Sequence, residues 1–272
     1  MRTFTRYLVP VFVLLVGAGG ALAQGMPTTQ PGRLMIFVEE LKVGMDRDHA
    51  ANEAGWPAAF AKANSPYYYL AFASMTGPAA VWFVQPFQSY AAEAQSMKMV
   101  ADDPGLSSEL QRLWRADGEY LESAYTIEAI ARPDLGYGEF PDLAMVRFYN
   151  ITTFRVRPGH EQAWEAAAKV YSENFGRAMP DASYRVYQVV NGMVGSNYLI
   201  FGAVNDFAEF DEMMASGNAL WAEMSEEDMA VIQNSITDDV QFYMSNRYQI
   251  DAGMSYVSEE TKAKDPAFWN KR

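Results

Sequence analysis

Three features of the 272-residue sequence predict an α+β fold made of two tandem β-α-β-β-α-β units. The first is an echo. "FRVRPGHEQAWEAAAKVY" (154–171) reads as strand, tight turn and helix, and "LKVGMDRDHAANEAGW" (41–56) repeats that pattern more weakly. The second is a pair of β-rich runs joined by turn residues in each half. The third is that the strands carry large apolar groups on both faces, so each sheet needs cover on both sides.

The elements follow in the same order in each half. "RLMIFVEE" and "AMVRFYNITT" are the opening strands, and aligning Val43 with Val156 gives an offset of 113 residues. A helix follows each. Next come "YYYLAFASM" and "AAVWFVQPF" around Thr76-Gly77-Pro78, then "SYRVYQVV" and "NYLIFGAV" around Asn191-Gly192. Ser89 and Asp206, 117 residues apart, stand as side-chain N-caps before "YAAEAQSM" and "FAEFDEMM". A further helical stretch follows in each half, "GLSSELQRLWRADGEYLESA" and one containing "SEEDMAVIQNSI", where Ser225 and Asp228 suggest a capping box. "YTIEAIARP" and "VQFYMSNRYQI" close the units, and each is followed by a Tyr motif, at Tyr137 and Tyr256. This order is that of a ferredoxin-like unit. In "AMVRFYNITTFRV", Val146, Phe148, Thr152, Phe154 and Val156 are read on one face, and Met145, Arg147, Tyr149, Ile151 and Thr153 on the other. Two such sheets facing one another as a single-chain barrel cover both faces without a partner chain, so a compact monomer is expected.

The boundaries read as a signal peptide over 1–23, a first unit over 24–138, a second over 139–258 and a C-terminal tail over 259–272. Arg2 and Arg6 precede the apolar "YLVPVFVLLVGAGGALA", which ends in Ala21-Leu22-Ala23, the pattern of a cleaved secretory leader. Export to a periplasm or the extracellular space is therefore expected, without stable membrane insertion. There is no cysteine, which excludes disulfides, thiolate metal sites and thiol nucleophiles. Loss of Arg2 and Arg6 with the leader would leave 19 basic against 34 acidic side chains. Such a surface repels nucleic acid and anionic membranes.

The strand ending in Val-x-Pro-Gly that leads through "HEQAWE" into a helix, set in a doubled β-α-β-β-α-β order, resembles the dimeric α+β-barrel superfamily. That group includes antibiotic-biosynthesis-type monooxygenases, stress-responsive barrel proteins and NIPSNAP-like proteins. The resemblance covers roughly residues 33–250. The whole chain, with its C-terminal "MSYVSEE…DPAFW", looks most like uncharacterised exported bacterial proteins. The resemblance implies the barrel; it names no reaction, because this fold carries many activities.

The candidate chemical residues are few. His160 opens a helical stripe with Trp164, Ala167, Tyr171 and Phe175, and Glu161, Glu165, Lys169 and Glu173 lie opposite, with Glu165 and Lys169 spaced as a surface pair. His160 reads as a partly buried residue at a helix end, and as the weak catalytic candidate, since imidazole titrates near neutrality. An ungapped alignment matches it to Arg47; a two-residue gap pairs it with His49 instead. His49 and Glu53 read as a solvated pair one helical turn apart. No histidine spacing specifies a metal, so no metal is expected. Haem is not expected either: the resemblance places its ligand on a late helix of a domain, where neither histidine falls. The 16 methionines are scattered and read as core filler rather than a copper array.

The strand aromatics Tyr67, Tyr68, Tyr69, Tyr149, Tyr184 and Tyr187, with Arg147, Arg185 and Asn150, read first as sheet packing. Their second reading is a ligand pocket, for which Tyr149, Arg147, Trp164 and Tyr187 are the candidates. The expected function is accordingly a cofactor-free barrel that binds a small ligand. One alternative is a cofactor-independent oxygenase or isomerase acting on an aromatic or quinone-like substrate, with His160 as base in a pocket between helix and sheet. Another is a barrel that only mediates protein association.

Overall fold

The computed structural model describes residues 25–270, so the leader read at 1–23 lies outside the described residues. The first unit runs β1 (Arg33–Leu41), α1 (Asp46–Glu53), α2 (Gly55–Lys62), β2 (Tyr69–Ser74), β3 (Ala80–Phe87), α3 (Tyr90–Asp102), α4 (Pro104–Asp117) and β4 (Leu121–Ala131). The second runs β5 (Phe148–Val156), α5 (Glu161–Ala178), β6 (Arg185–Asn191), β7 (Ser196–Val204), α6 (Glu209–Glu223), α7 (Glu226–Asp238) and β8 (Val240–Tyr256). Two short helices, α8 (Glu259–Lys264) and α9 (Pro266–Trp269), end the described chain.

The strands form one closed barrel in the order β1-β3-β2-β8-β5-β7-β6-β4. Each unit contributes a run of four, β4-β1-β3-β2 and β8-β5-β7-β6, and the runs join edge to edge through β2–β8 and β6–β4, all antiparallel. Closure leaves no unpaired sheet edge. The barrel interior holds a cluster that includes Leu34, Ile36, Phe72, Ile127, Ile151, Leu199 and Ile250. Smaller apolar clusters lie where helices cover the barrel, among them Trp164, Tyr184 and Tyr198 beneath α5 and Leu106, Leu110 and Leu113 on α4.

The structure replaces the expected register between the copies. Gly44 and Gly159 both take positive φ, at 84° and 86°, and α1 and α5 each begin two residues later. The β1–β4 pairing shifts at Glu40/Leu41 and the β5–β8 pairing at Arg155/Val156. Leu41 is therefore the counterpart of Val156 at an offset of 115, and His160 that of Met45, rather than of Arg47 or His49. Strand alternation has period two, so a two-residue slip keeps every face and is invisible to pattern matching. The two Tyr motifs are equivalent, Tyr256 pairing with Tyr69 and Tyr137 with Tyr184.

Local signals also differ in detail. Ser89 and Ser225 cap α3 and α7, accepting from the backbone N–H of Ala92 and Asp228. Asp206 instead accepts from the N–H of Ala208, one turn ahead of α6. The first helix of unit one is broken at Ala54, whereas α5 runs 18 residues. Pro57 explains the break, because it has no N–H for the Glu53 carbonyl and its ring crowds that oxygen. The segment after β8 packs onto the barrel: Trp269 joins the interior cluster and donates from Nε1 to the Ala144 carbonyl at 3.0 Å. No described helix is long and apolar enough to cross a membrane.

Candidate functional site

Two places in the described structure hold chemistry, on opposite faces of the β1–β2 region. The first is a cavity at one end of the barrel. It lies where β1, β2, β5 and β6 begin and β3 and β7 end, beneath Met26 and Pro27 ahead of β1 and Phe140, Pro141 and Leu143 in the link between units. Its volume is about 60 Å³. One water needs roughly 10–15 Å³, so the space suits a small organic group. The wall is mainly apolar, with Leu70, Phe72 and Phe201 prominent. Tyr149 stacks on Phe72 at 4.6 Å and meets Phe201 edge-on, as does Tyr187. Burial holds both tyrosine hydroxyls well above the usual phenol range, so they are neutral donors. Arg185 also lines the cavity. One nitrogen donates to the Gly138 carbonyl at 2.6 Å, while its buried Nε has no partner among the described residues.

Of the four residues expected to bind ligand, Tyr149 and Tyr187 line this cavity, and Arg147 and Trp164 do not. The Arg147 guanidinium pairs with Asp265, donates to the Ala144 and Val146 carbonyls and lies 3.8 Å over the Phe268 ring, so it holds the C-terminal segment. Trp164 lies outside the barrel under α5, stacked on Tyr198 at 4.1 Å. His160 is the N-cap residue of α5, its side chain 46% exposed, with Nδ1 2.8 Å from Asp239 Oδ1. Asp239 also accepts from the Ser235 hydroxyl. Below His160, Trp164 and Ala167 are buried and Tyr171 and Phe175 half-buried, but His160 itself points out of the stripe and does not line the cavity.

The opposite face of α5 also departs from expectation. Glu165 does not pair with Lys169. It accepts from Arg132 at 2.5 Å and from the Tyr198 hydroxyl at 2.7 Å, while Lys169 lies 3.7 Å from Asp134. Arg132 directly follows the last residue of β4, a contact that i,i+4 spacing cannot anticipate.

The second place is a polar cluster between the barrel wall and α1, α2 and α4. Glu39 on β1 points outward, and His49 and Glu53 reach it from successive turns of α1. The three are 1%, 0% and 3% exposed, so the expected solvated His49–Glu53 pair is instead buried. His49 Nε2 is 2.6 Å from Glu39 Oε2. Donor atoms of Glu39, His49 and Glu53 all lie within 4.8 Å of one another. Asp117, at the end of α4 and fully buried, accepts from Asn52 Nδ2 at 2.6 Å. His49 Nδ1, Glu53 Oε1, Asp117 Oδ2, Trp56 Nε1 and the Tyr69 hydroxyl are all buried without a partner among the described residues. Burial, followed by the charges of Glu39 and Asp117, pushes the Glu53 carboxyl up to about 10. Burial also raises Glu39, against the lowering pull of His49.

Sequence reasoning missed this cluster because β1, α1 and α4 bring together residues 10 to 78 positions apart. One signal was available: Glu39 breaks the outward apolar face of a strand, at the position that Phe154 fills in the second unit.

No family model and no curated protein matches the chain. Solved structures show the fold. Two bacterial proteins, each described as a "putative monooxygenase", superpose on most of this chain. That of Fusobacterium nucleatum has a TM-score of 0.50 and 12% identity over 82% of this chain and 94% of its own. That of Lactobacillus acidophilus has a TM-score of 0.50 and 9% identity over 80% and 93%. The likeness is one of fold: a closed α+β barrel of two ferredoxin-like units.

Proposed function

We propose that the protein is a binding barrel for a small, mainly apolar ligand with one hydrogen-bond-accepting end. The observation that carries this reading is the barrel-end cavity, whose apolar wall includes the Tyr149 and Tyr187 rings and the partly unpartnered Arg185. Cavities of this kind bind through apolar contact and are oriented by a few polar groups. Neutral Tyr hydroxyls and a guanidinium suit a carboxylate or carbonyl oxygen.

The oxygenase alternative needed His160 as base beside the substrate. His160 instead lies outside the barrel, so binding is the better-supported reading. The chain closes its own barrel and is proposed to act as a monomer, exported through the leader pattern at 1–23. N-terminal sequencing of the protein recovered from the producing cell tests export: a mature start near Gln24 supports it, and an intact Met1 opposes it.

Calorimetry with benzoate, phenylacetate and their uncharged amides tests the ligand class. The acids are expected to bind more tightly than the amides. Filling the cavity with Ala203→Phe should abolish binding while the fold persists. If no compound binds, or Ala203→Phe leaves binding intact, the barrel end is not the site.

A further inference from the structure

The offset of 115 pairs Glu39, His49 and Glu53 with Phe154, Trp164 and Ala168. In the second unit these positions are ordinary apolar packing: Phe154 and Trp164 meet at 5.6 Å, and Ala168 packs on the same cluster. The fold therefore has no need of polar groups at these positions. In the first unit the same space holds two carboxylates and an imidazole, with a third carboxylate, Asp117, at its edge. No lysine or arginine reaches the three carboxylates among the described residues. Buried charges persist where they are paired or coordinate a metal. His49 is the one basic side chain within reach of these acids among the described residues, and both His49 Nδ1 and Glu53 Oε1 are left unpartnered.

We propose that Glu39, His49 and Glu53 form a binding site for one divalent transition-metal ion. Two carboxylates and a neutral imidazole offset the charge of a 2+ ion. Nitrogen mixed with oxygen, without sulfur, suits zinc, manganese, iron(II) or cobalt(II) better than calcium. Donors bound to one ion at about 2.0–2.2 Å lie at most about 4.4 Å apart. Binding would draw in the more distant donors from the observed spread of up to 4.8 Å and open the 2.6 Å contact between His49 Nε2 and Glu39 Oε2, which the shared ion would replace. Placement between β1 and α1 makes the role structural: the ion ties the first helix to the barrel wall where the second unit uses Phe154 and Trp164. This site is independent of the barrel cavity, which lies on the other face of the sheet.

Cobalt(II) is the probe, in excess magnesium to occupy surface carboxylates. It is added both to the chelator-stripped native chain and during refolding, because the site is closed to solvent. The expected result is one cobalt per chain, a raised melting midpoint and one contact-shifted imidazole N–H in the proton NMR spectrum. Glu53→Gln and His49→Gln should each weaken binding at least about 100-fold. The triple variant Glu39→Phe/His49→Trp/Glu53→Ala, which copies the second unit, should melt cooperatively and bind none. The proposal is overturned if the wild-type chain takes up no cobalt at either stage. It is equally overturned if bound cobalt shifts no imidazole, a measurement that needs no variant to fold.

Discussion

Replacing Trp269 by alanine removes the anchor of the C-terminal segment, and its cost can be worked from the structure. The indole is 5% exposed and sits in the barrel's interior cluster, with Phe268 edge-on at 4.9 Å. A buried tryptophan covers roughly 150–250 Å². At about 25 cal/mol per Å², that corresponds to some 4–6 kcal/mol as an upper bound. Measured Trp→Ala changes in cores cost about 3–5 kcal/mol. The lost Nε1 donor also leaves the Ala144 carbonyl with only Arg147 as its donor, a loss of about 1 kcal/mol. The expected total is about 4 kcal/mol, a large share of the roughly 5–15 kcal/mol that stabilises a typical domain. Equilibrium urea unfolding should show the midpoint falling with the slope unchanged. Trp269→Phe keeps most of the ring and should lose about half as much. A cost below about 1 kcal/mol for Trp269→Ala would mean that the segment does not close the barrel in solution.

Further outcomes follow from other contacts. Hydrogen bonds from Arg132 hold the Glu165 and Asp134 carboxyls below their usual values of 4.5 and 3.8. Their folded pKa values are depressed, so this stabilisation is present above about pH 4.5 and is lost as the pH falls below it. Melting midpoints of Glu165→Gln should therefore decline less steeply on acidification than those of the wild type, with a difference of about 1 kcal/mol at neutral pH; parallel acid slopes would oppose the assignment. Gly192 has φ +92°, and a Cβ there would come 2.0 Å from the Thr126 carbonyl oxygen, whereas Gly44, at φ +84°, has open space. Gly44→Ala should cost about 1 kcal/mol for the left-handed backbone alone, and Gly192→Ala clearly more, both read from urea midpoints; equal costs would refute the contact. Sedimentation at micromolar concentration should give a single species of one chain's mass, and a stable dimer would refute self-sufficient closure.

Residues 33–41 and 148–156 show how much of the fold was legible. Their alternation and the turns at Gly77 and Asn191-Gly192 act within a few residues and recur in both halves, and the Ser89 and Ser225 caps are equally local. Two-sided apolar strands then required a covered barrel. The candidate site was far less legible. Tyr149 and Tyr187 could be recognised as pocket-facing aromatics, but the same reading sent Arg147 and Trp164 to the cavity. Arg147 binds Asp265, more than a hundred positions away, and Trp164 belongs to the helix side of the wall.

The sequence by itself determined the duplicated α+β barrel, because strand period, helix period and turn chemistry are local and were written twice. Only the tertiary structure decided the register between the copies, since a two-residue slip leaves every strand face unchanged. That register turned His49 from a solvated helix residue into the counterpart of Trp164, buried against Glu39. Whether a histidine lies in water or among carboxylates depends on which strand residue the barrel places opposite it, and that placement is set by long-range pairing.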